Sequence, residues 1–460
     1  MGKYRYTETE QQINNVLKHQ DDRLKDIHFP DTKDVDKTIT ESEELLRSLG
    51  YTPQKTEVSV PSRKPIMLIP SWAELCKEAE RACKTHTELE ELFTADELIE
   101  NTLAIRQLNQ EYDMVHRLDN IDITISVVAG LLSAAMDILL VGIPRKTPDG
   151  LKSGKLADYI REHFEKKYPR EEMDQLALKD ESKTPYDAQD YRHTHIHVEG
   201  LSSYYHRLLS LGHDPLLGFM VGVLDIMKGT MTTIDKKGKL VVQVVEGYDS
   251  RKETNLFAAI AKQFLHLKSD VNTSMGLPAP LMALFNLFQF GKTGDEKQTI
   301  AEIVQGMYYE GYDFIHFCSM SIPVMVSEVI VRIGYAIKRI KEGNAIKDSI
   351  PVSLNREKHP KLATMLFIGH SAATAVNAGK VLFTKNPMAI NYPQWVAFAK
   401  YSYSQLKWAL IEKPELRRQY VDGVVIEELY NVVDDVNQTF CEFSDRYTII
   451  MDAESSYCEC

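Results

Sequence analysis

The chain has 460 residues, 43% hydrophobic and 26% charged, with a formal net charge of −12. That length and composition allow a large core or two to three globular domains, and the acidic balance excludes nucleic-acid binding that rests on phosphate neutralisation. The polar start MGKYRYTETEQQINN carries no apolar signal core. The sparse cysteines (Cys76, Cys83, Cys318, Cys441, Cys458 and Cys460) show no CxxC zinc pairing, so free thiols in a reducing cytoplasm are expected.

Residues 1–70 read as a polar helical region, with helices over Glu8 to Lys25 and Ile39 to Leu49 and a linker, TPQKTEVSVPSRKP. A helical core is expected over 71–460. Ser71 precedes a helix at Trp72, and Thr94 with Glu97 spells a capping box. The apolar run Ile121 to Ile143 approaches the length of a membrane span, although Asp122 and Asp137 interrupt it. Residues 145–192 read as a charged insertion with one helix from Lys155 to Lys167, the rest a solvated loop. Alternation around a Lys-Lys-Gly turn predicts a β-hairpin over 231–246. Further apolar helices are expected over Ala258 to Leu267, Ala279 to Phe290, Tyr312 to Ile340, Leu362 to Phe383 and Trp395 to Ile411, with a helix pair over Pro414 to Phe440 split near Asp422-Gly423. The class is mainly α: a large multi-helix, bundle-like core with one small β-hairpin. Small residues recur in the apolar helices (Gly130, Ser133 and Ala134; Gly218 and Gly222; Ala372, Ala373 and Gly379), which predicts close backbone approach.

One motif occurs twice. His116-Arg117-Leu118 precedes GLLSAAMDIL, and His206-Arg207-Leu208 precedes GFMVGVLDIM, so that Gly130 corresponds to Gly218 and Asp137 to Asp225. A carboxylate on an apolar helix needs a partner, because an unpaired buried charge is costly. A pseudo-twofold lock pairing Arg117 with Asp225 and Arg207 with Asp137 meets that need. The functional alternative is a divalent-metal site built from His116, Asp137, His206, His213 and Asp225. The doublet His213-Asp214, preceded by His206, resembles the H…HD…D ligand set of metal-dependent HD phosphohydrolases. In that family the doublet lies within a helix, whereas Pro215 here makes Asp214 an N-cap. The alternating His193, His195 and His197 would share one face of a strand, or lie solvated in a loop.

A third cluster holds Glu310, Asp313 and His316, with Glu328 and Arg332 placed for an i,i+4 ion pair. The aromatic segment from Tyr392 to Trp408 suits core, a protein interface or a bilayer surface. Two functions are compatible with these features. The first is a non-enzymatic, cytoplasmic helical protein acting by self-, partner- or peripheral membrane association, without nucleic acid. The alternative is a metal-dependent hydrolase using a His/Asp site, with phosphoesters as the substrate class.

Overall fold

The computed structural model describes every residue except 1–3, 28–31, 53–65, 84–86, 149, 274, 292–296 and 452–460. Most of the expected linker and the terminal Cys458 and Cys460 lie outside the described residues. The described chain is mainly α-helical, with small strand pairs. It divides into two compact units, residues 1–114 with 414–460, and residues 115–413. The division differs from the expected boundary at 70. The side chain of Asn14 donates to the Thr87 carbonyl at 3.2 Å, and the Thr87 amide donates to Asn15 Oδ1 at 3.1 Å. These buried bonds tie the segment after the linker to the first helix.

The first unit contains α1 (Glu8–Lys25), α2 (Thr32–Ser48), β1 (Ile66–Ile69), α3 (Trp72–Ala82), most of α4 (Ala95–His116), most of α16 (Lys413–Arg446) and β6 (Thr448–Met451). Capping boxes open α1 at Thr7 and α3 at Ser71. The box anticipated before α4 is present: the Thr94 amide donates to Glu97 Oε2 at 2.7 Å and the Glu97 amide to Thr94 Oγ1 at 3.3 Å. β1 pairs with β6 in parallel. α16 is one unbroken helix rather than the expected pair, since Gly423 costs only about 1 kcal/mol relative to alanine and no proline follows it.

The second unit begins with α5 (Asn120–Met136), which runs into a π turn over Asp137–Val141. Next come β2 (Arg145–Thr147), β3 (Gly150–Lys152), α6 (Lys155–Lys167), α7 (Arg170–Ala177), α8 (His206–Leu209), α9 (Val221–Lys228), the antiparallel pair β4 (Thr230–Ile234) and β5 (Leu240–Val244), and α10 (Leu256–Asp270). The unit continues with α11 (Ile300–Tyr309), α12 (Phe314–Lys341), α13 (Ile346–Ser349), α14 (Leu362–Thr384) and α15 (Tyr392–Lys407). The β4–β5 hairpin lies where alternation placed it, turning at Gly238 with φ +80°. The run expected as a helix over 279–290 forms only a 3-10 turn, Met282–Leu287. Leu281 before it takes a left-handed φ of 64°, and Pro278 and Pro280 deny the segment two amide donors.

Helices α5, α12, α14 and α15 pack as a bundle around Ala129, Val331, Tyr335, Leu362, Met365, Leu366 and Tyr401. The small-residue pattern has its consequence at the α5–α14 crossing, where a Cβ on Gly130 would stand 2.2 Å from the Gly369 carbonyl oxygen. Asp122, fully buried on α5, is met by Lys338 of α12 at 2.7 Å and by Lys361 at 3.5 Å. The charged insertion is not a solvated loop. Its end is core: Tyr186 and Ala188 are buried with Val198, Leu209, Ile226 and Met231. The run Ala95–Val141 and α12 are each long and apolar enough to cross a membrane, with 33% and 39% of their most apolar windows buried.

Candidate metal centre

Three segments converge beside α10: the end of the insertion, the one-turn helix α8 and the 3-10 turn Leu211–His213. They bring together Asp187, His206, His213, His266 and Asp270, of which all but Asp187 are buried. His206 Nδ1 faces the carbonyls of Ser203 at 3.0 Å and Ser202 at 3.3 Å. A carbonyl only accepts, so Nδ1 carries the proton and Nε2 is left with its lone pair. His213 Nδ1 lies 3.0 Å from Asp270 Oδ2, which fixes the same tautomer. The two free Nε2 atoms point toward one carboxylate, Asp187 Oδ1, at 3.5 Å from His206 and 3.8 Å from His213. Those separations are too long for good hydrogen bonds, and neither Nε2 has a hydrogen-bond partner. Zinc ligands at about 2.0–2.1 Å in a tetrahedron stand roughly 3.4 Å from one another, so the gaps suit an ion among the three atoms.

The surrounding groups act as a second layer. Asp270 takes His213 on Oδ2 and Arg207 Nη2, at 3.0 Å, on Oδ1, while Arg207 Nη1 donates to Thr273 at 2.6 Å. His266, one turn before Asp270 on α10, places Nδ1 2.8 Å from the Ser182 carbonyl and Nε2 3.3 Å from His213 Nδ1. His213 therefore sits at direct hydrogen-bonding distance from both Asp270 and His266, while His266 Nε2 stands 3.6 Å from Asp270 Oδ2; the gap left by both unpartnered Nε2 atoms is on the Asp187 side. Tyr186 packs edge-on against His213 and His266, with ring centroids 5.1 and 5.2 Å away. Its hydroxyl donates to Gln263 Oε1 at 2.5 Å, and Gln263 Nε2 donates to the Gly212 carbonyl at 2.8 Å. A Cβ on Gly222 would meet Gln263 at 2.5 Å, and one on Gly218 would meet the Gly212 carbonyl oxygen at 2.5 Å and Gln263 at 2.6 Å, so neither position has room for one.

The electrostatics keep the two ligand imidazoles neutral and the Asp270 carboxylate behind them charged. Burial, reinforced by His213, pushes the His206 imidazole down to about 4. Burial also lowers His213, outweighing its bond to Asp270. Burial alone would raise the Asp270 carboxyl, but Arg207, His266 and His213 together hold it well below the ordinary carboxylate range. An imidazole that is neutral near pH 7 is the form that binds a metal.

No protein family, curated protein or solved structure matches the chain. The site is therefore read from its own atoms.

Of the residues singled out in the sequence, His206 and His213 meet; the other three expected ligands lie elsewhere. His116, at the end of α4, packs against the Trp408 ring at 5.0 Å. Asp137 accepts from Lys380 at 2.8 Å, Asn391 at 2.8 Å and Asn377 at 3.3 Å. Asp225 accepts from the Thr230 and Thr232 hydroxyls at 2.7 and 2.8 Å and from the Thr232 amide at 2.9 Å, joining α9 to β4. The two motif copies thus do not form a reciprocal lock: Arg207 pairs with Asp270, and Asp137 with Lys380. Arg117 falls in the turn between α4 and α5. The copies also fold differently, one as the continuous α5 and the other as a 3-10 turn followed by α9.

Asp214 is a cap, its Oδ1 accepting from the Leu216 and Leu217 amides at 2.9 Å each. His193, His195 and His197 are exposed and outside any strand. In the third cluster, Asp313 caps α12 and is gripped by Arg161 at 2.9 and 2.8 Å. Glu310 is exposed, and His316 is buried against Tyr312. Glu328 stands 3.8 Å from Arg332 and accepts from Tyr401 at 2.7 Å.

The sequence reading missed Asp187, His266 and Asp270. For the last two a signal existed, because His and Asp four apart on α10 share a face. Asp187 carried none beyond an aromatic neighbour in a polar run.

Proposed function

We propose that the protein is a metal-dependent hydrolase whose divalent ion is held by His206 Nε2, His213 Nε2 and the Asp187 carboxylate. The observation that carries this reading is the pair of buried, unpartnered Nε2 atoms aimed at one carboxylate. Leaving such atoms unmatched costs about 1–3 kcal/mol each, and a cation removes that cost for both. Two imidazoles and one carboxylate suit zinc, iron(II) or manganese(II) and leave coordination positions for water. Asp187, with a side chain 24% exposed against 3% and 0% for the histidines, is where solvent and substrate reach the ion. A bound ion lowers the pKa of its water and supplies hydroxide near neutral pH. Asp270 holds His213 in its ligand tautomer, the usual task of a carboxylate behind a metal-bound histidine. The substrate class is an ester or phosphoester. The test is turnover of p-nitrophenyl acetate, p-nitrophenyl phosphate and bis-p-nitrophenyl phosphate by the full chain loaded with zinc or manganese. The reading predicts hydrolysis that a chelator and the His206→Ala/His213→Ala pair both abolish. Rates equal to those of the double variant on all three substrates would overturn it.

A second observation favours association. Met325, Val329, Ile333 and Ile337 form a stripe along α12 with exposures of 65, 51, 55 and 50%. We infer that such faces serve a cytoplasmic protein in peripheral membrane contact or in pairing with a protein, without nucleic acid. Flotation of the full chain with liposomes, lost in Val329→Glu/Ile333→Glu, tests the lipid form. Failure to float with any liposome would remove it.

A further inference from the structure

The helix α16 carries an apolar pattern that neither site uses. Ile426, Leu429, Val433, Val436, Phe440 and Phe443 alternate in steps of three and four, the a and d positions of a heptad repeat. All six are exposed, at 51, 60, 46, 61, 44 and 45%. At 1.5 Å per residue the stripe is about 26 Å long. The flanking positions on either side of it hold Tyr430, Val432, Asn437, Thr439 and Ser444, none of them charged, and the first charge at a flank is Arg446, the last residue of the helix. The opposite face is acidic, with Glu427, Glu428, Asp434, Asp435, Glu442 and Asp445.

This distribution selects among occupants. Helices that lie on membranes carry lysine and arginine on their polar face, and an anionic lipid surface repels this one. A highly charged partner strand would find no opposite charge at the flanks, where coiled coils choose their partners. A second copy of the same helix meets flanks that are uncharged along the seam up to Arg446 at its end, and keeps its acidic face in water. β-branched Ile426 and Val433 at a, with Leu429 at d, follow the two-stranded pattern in the first half of the seam, and Val436, Phe440 and Phe443 complete it without following that pattern.

We propose that α16 is a dimerisation helix, pairing with α16 of a second copy through this seam. The proposal is independent of the metal centre; it rests on the association reading only in giving it one surface and one partner.

Sedimentation equilibrium of the full chain tests it. The expected mass is twice the 52.5 kDa of one chain. Val433→Glu/Val436→Glu, which puts charge into the seam, should weaken pairing on the order of 100-fold, because an unpaired charge must then be buried in each strand. Phe440→Ala keeps a strong helix former and should weaken pairing without adding charge. Asp434→Lys/Asp435→Lys, on the outer face, should leave the dimer intact. A monomeric wild-type chain overturns the proposal, as does a seam pair that keeps the wild-type mass. In the latter case association lies on another face, and the metal centre is untouched by either result.

Discussion

Gly130→Ala tests how the bundle is held together. The new Cβ would stand 2.2 Å from the Gly369 carbonyl oxygen and 3.0 Å from Ala372 Cβ. A carbonyl inside α14 cannot turn aside, so α5 must retreat by roughly 1 Å to restore ordinary contact. It cannot slide freely, because Asp122 is held by Lys338 at one end and Asp137 by Lys380 at the other. Overpacking of this kind costs about 1–3 kcal/mol, sometimes more, and a backbone obstacle belongs at the upper end. Alanine recovers about 1 kcal/mol of helix propensity, which leaves a net loss near 2 kcal/mol.

Gly379 on α14 is the matched control, with nothing within 4 Å of its would-be Cβ, so Gly379→Ala should gain up to about 1 kcal/mol. The two substitutions share chemistry and propensity, yet should differ by about 3 kcal/mol in urea unfolding. Tryptophan fluorescence in a Trp72→Phe background reports on the second unit alone, through Trp395 and Trp408. Equal stabilities for the two variants would refute the close crossing.

Burial raises the Asp225 carboxyl to about 6, against the opposing bonds from Thr230 and Thr232. The folded pKa lies above the unfolded one, so the fold favours the protonated carboxyl, and the stability this gives is lost as pH climbs from about 4 to 6. A shift of about two units is worth up to about 3 kcal/mol. Asp225→Asn should therefore gain stability relative to wild type between pH 4.5 and pH 7 in parallel urea titrations; a pH-independent difference would contradict this. Lys380→Met leaves Asp137 buried without its cation and should cost about 3–5 kcal/mol. Adding Asp137→Asn should recover much of that loss, and simple additivity of the two substitutions would count against the pair.

Where elements were legible in the sequence, a local rule sufficed. The helix start at Ser71, the box at Thr94, the helix from Lys155 to Lys167 and the hairpin around Gly238 are set by residues a few positions apart. Misreadings came from longer range. Repetition of His-Arg-Leu and Asp-Ile suggested two equivalent halves, but Pro215 and the glycines after it break the second copy into turns. Only two of the expected ligands are brought together, because the third carboxylate comes from an insertion whose polarity hides its burial. Ser182 and Tyr186 are fixed there by His266 and Gln263 of α10, partners 84 and 77 residues away. No window of local periodicity contains that information.

The most direct test of the account is the metal content of the full chain, purified without chelator and measured by elemental mass spectrometry. The account predicts about one zinc, iron or manganese ion per chain, retained in Asp137→Asn and Asp225→Asn and lost in Asp187→Asn and His206→Ala. Absence of a divalent ion from the purified protein, with no uptake when zinc or manganese is added, would contradict it and leave the histidines as a structural cluster.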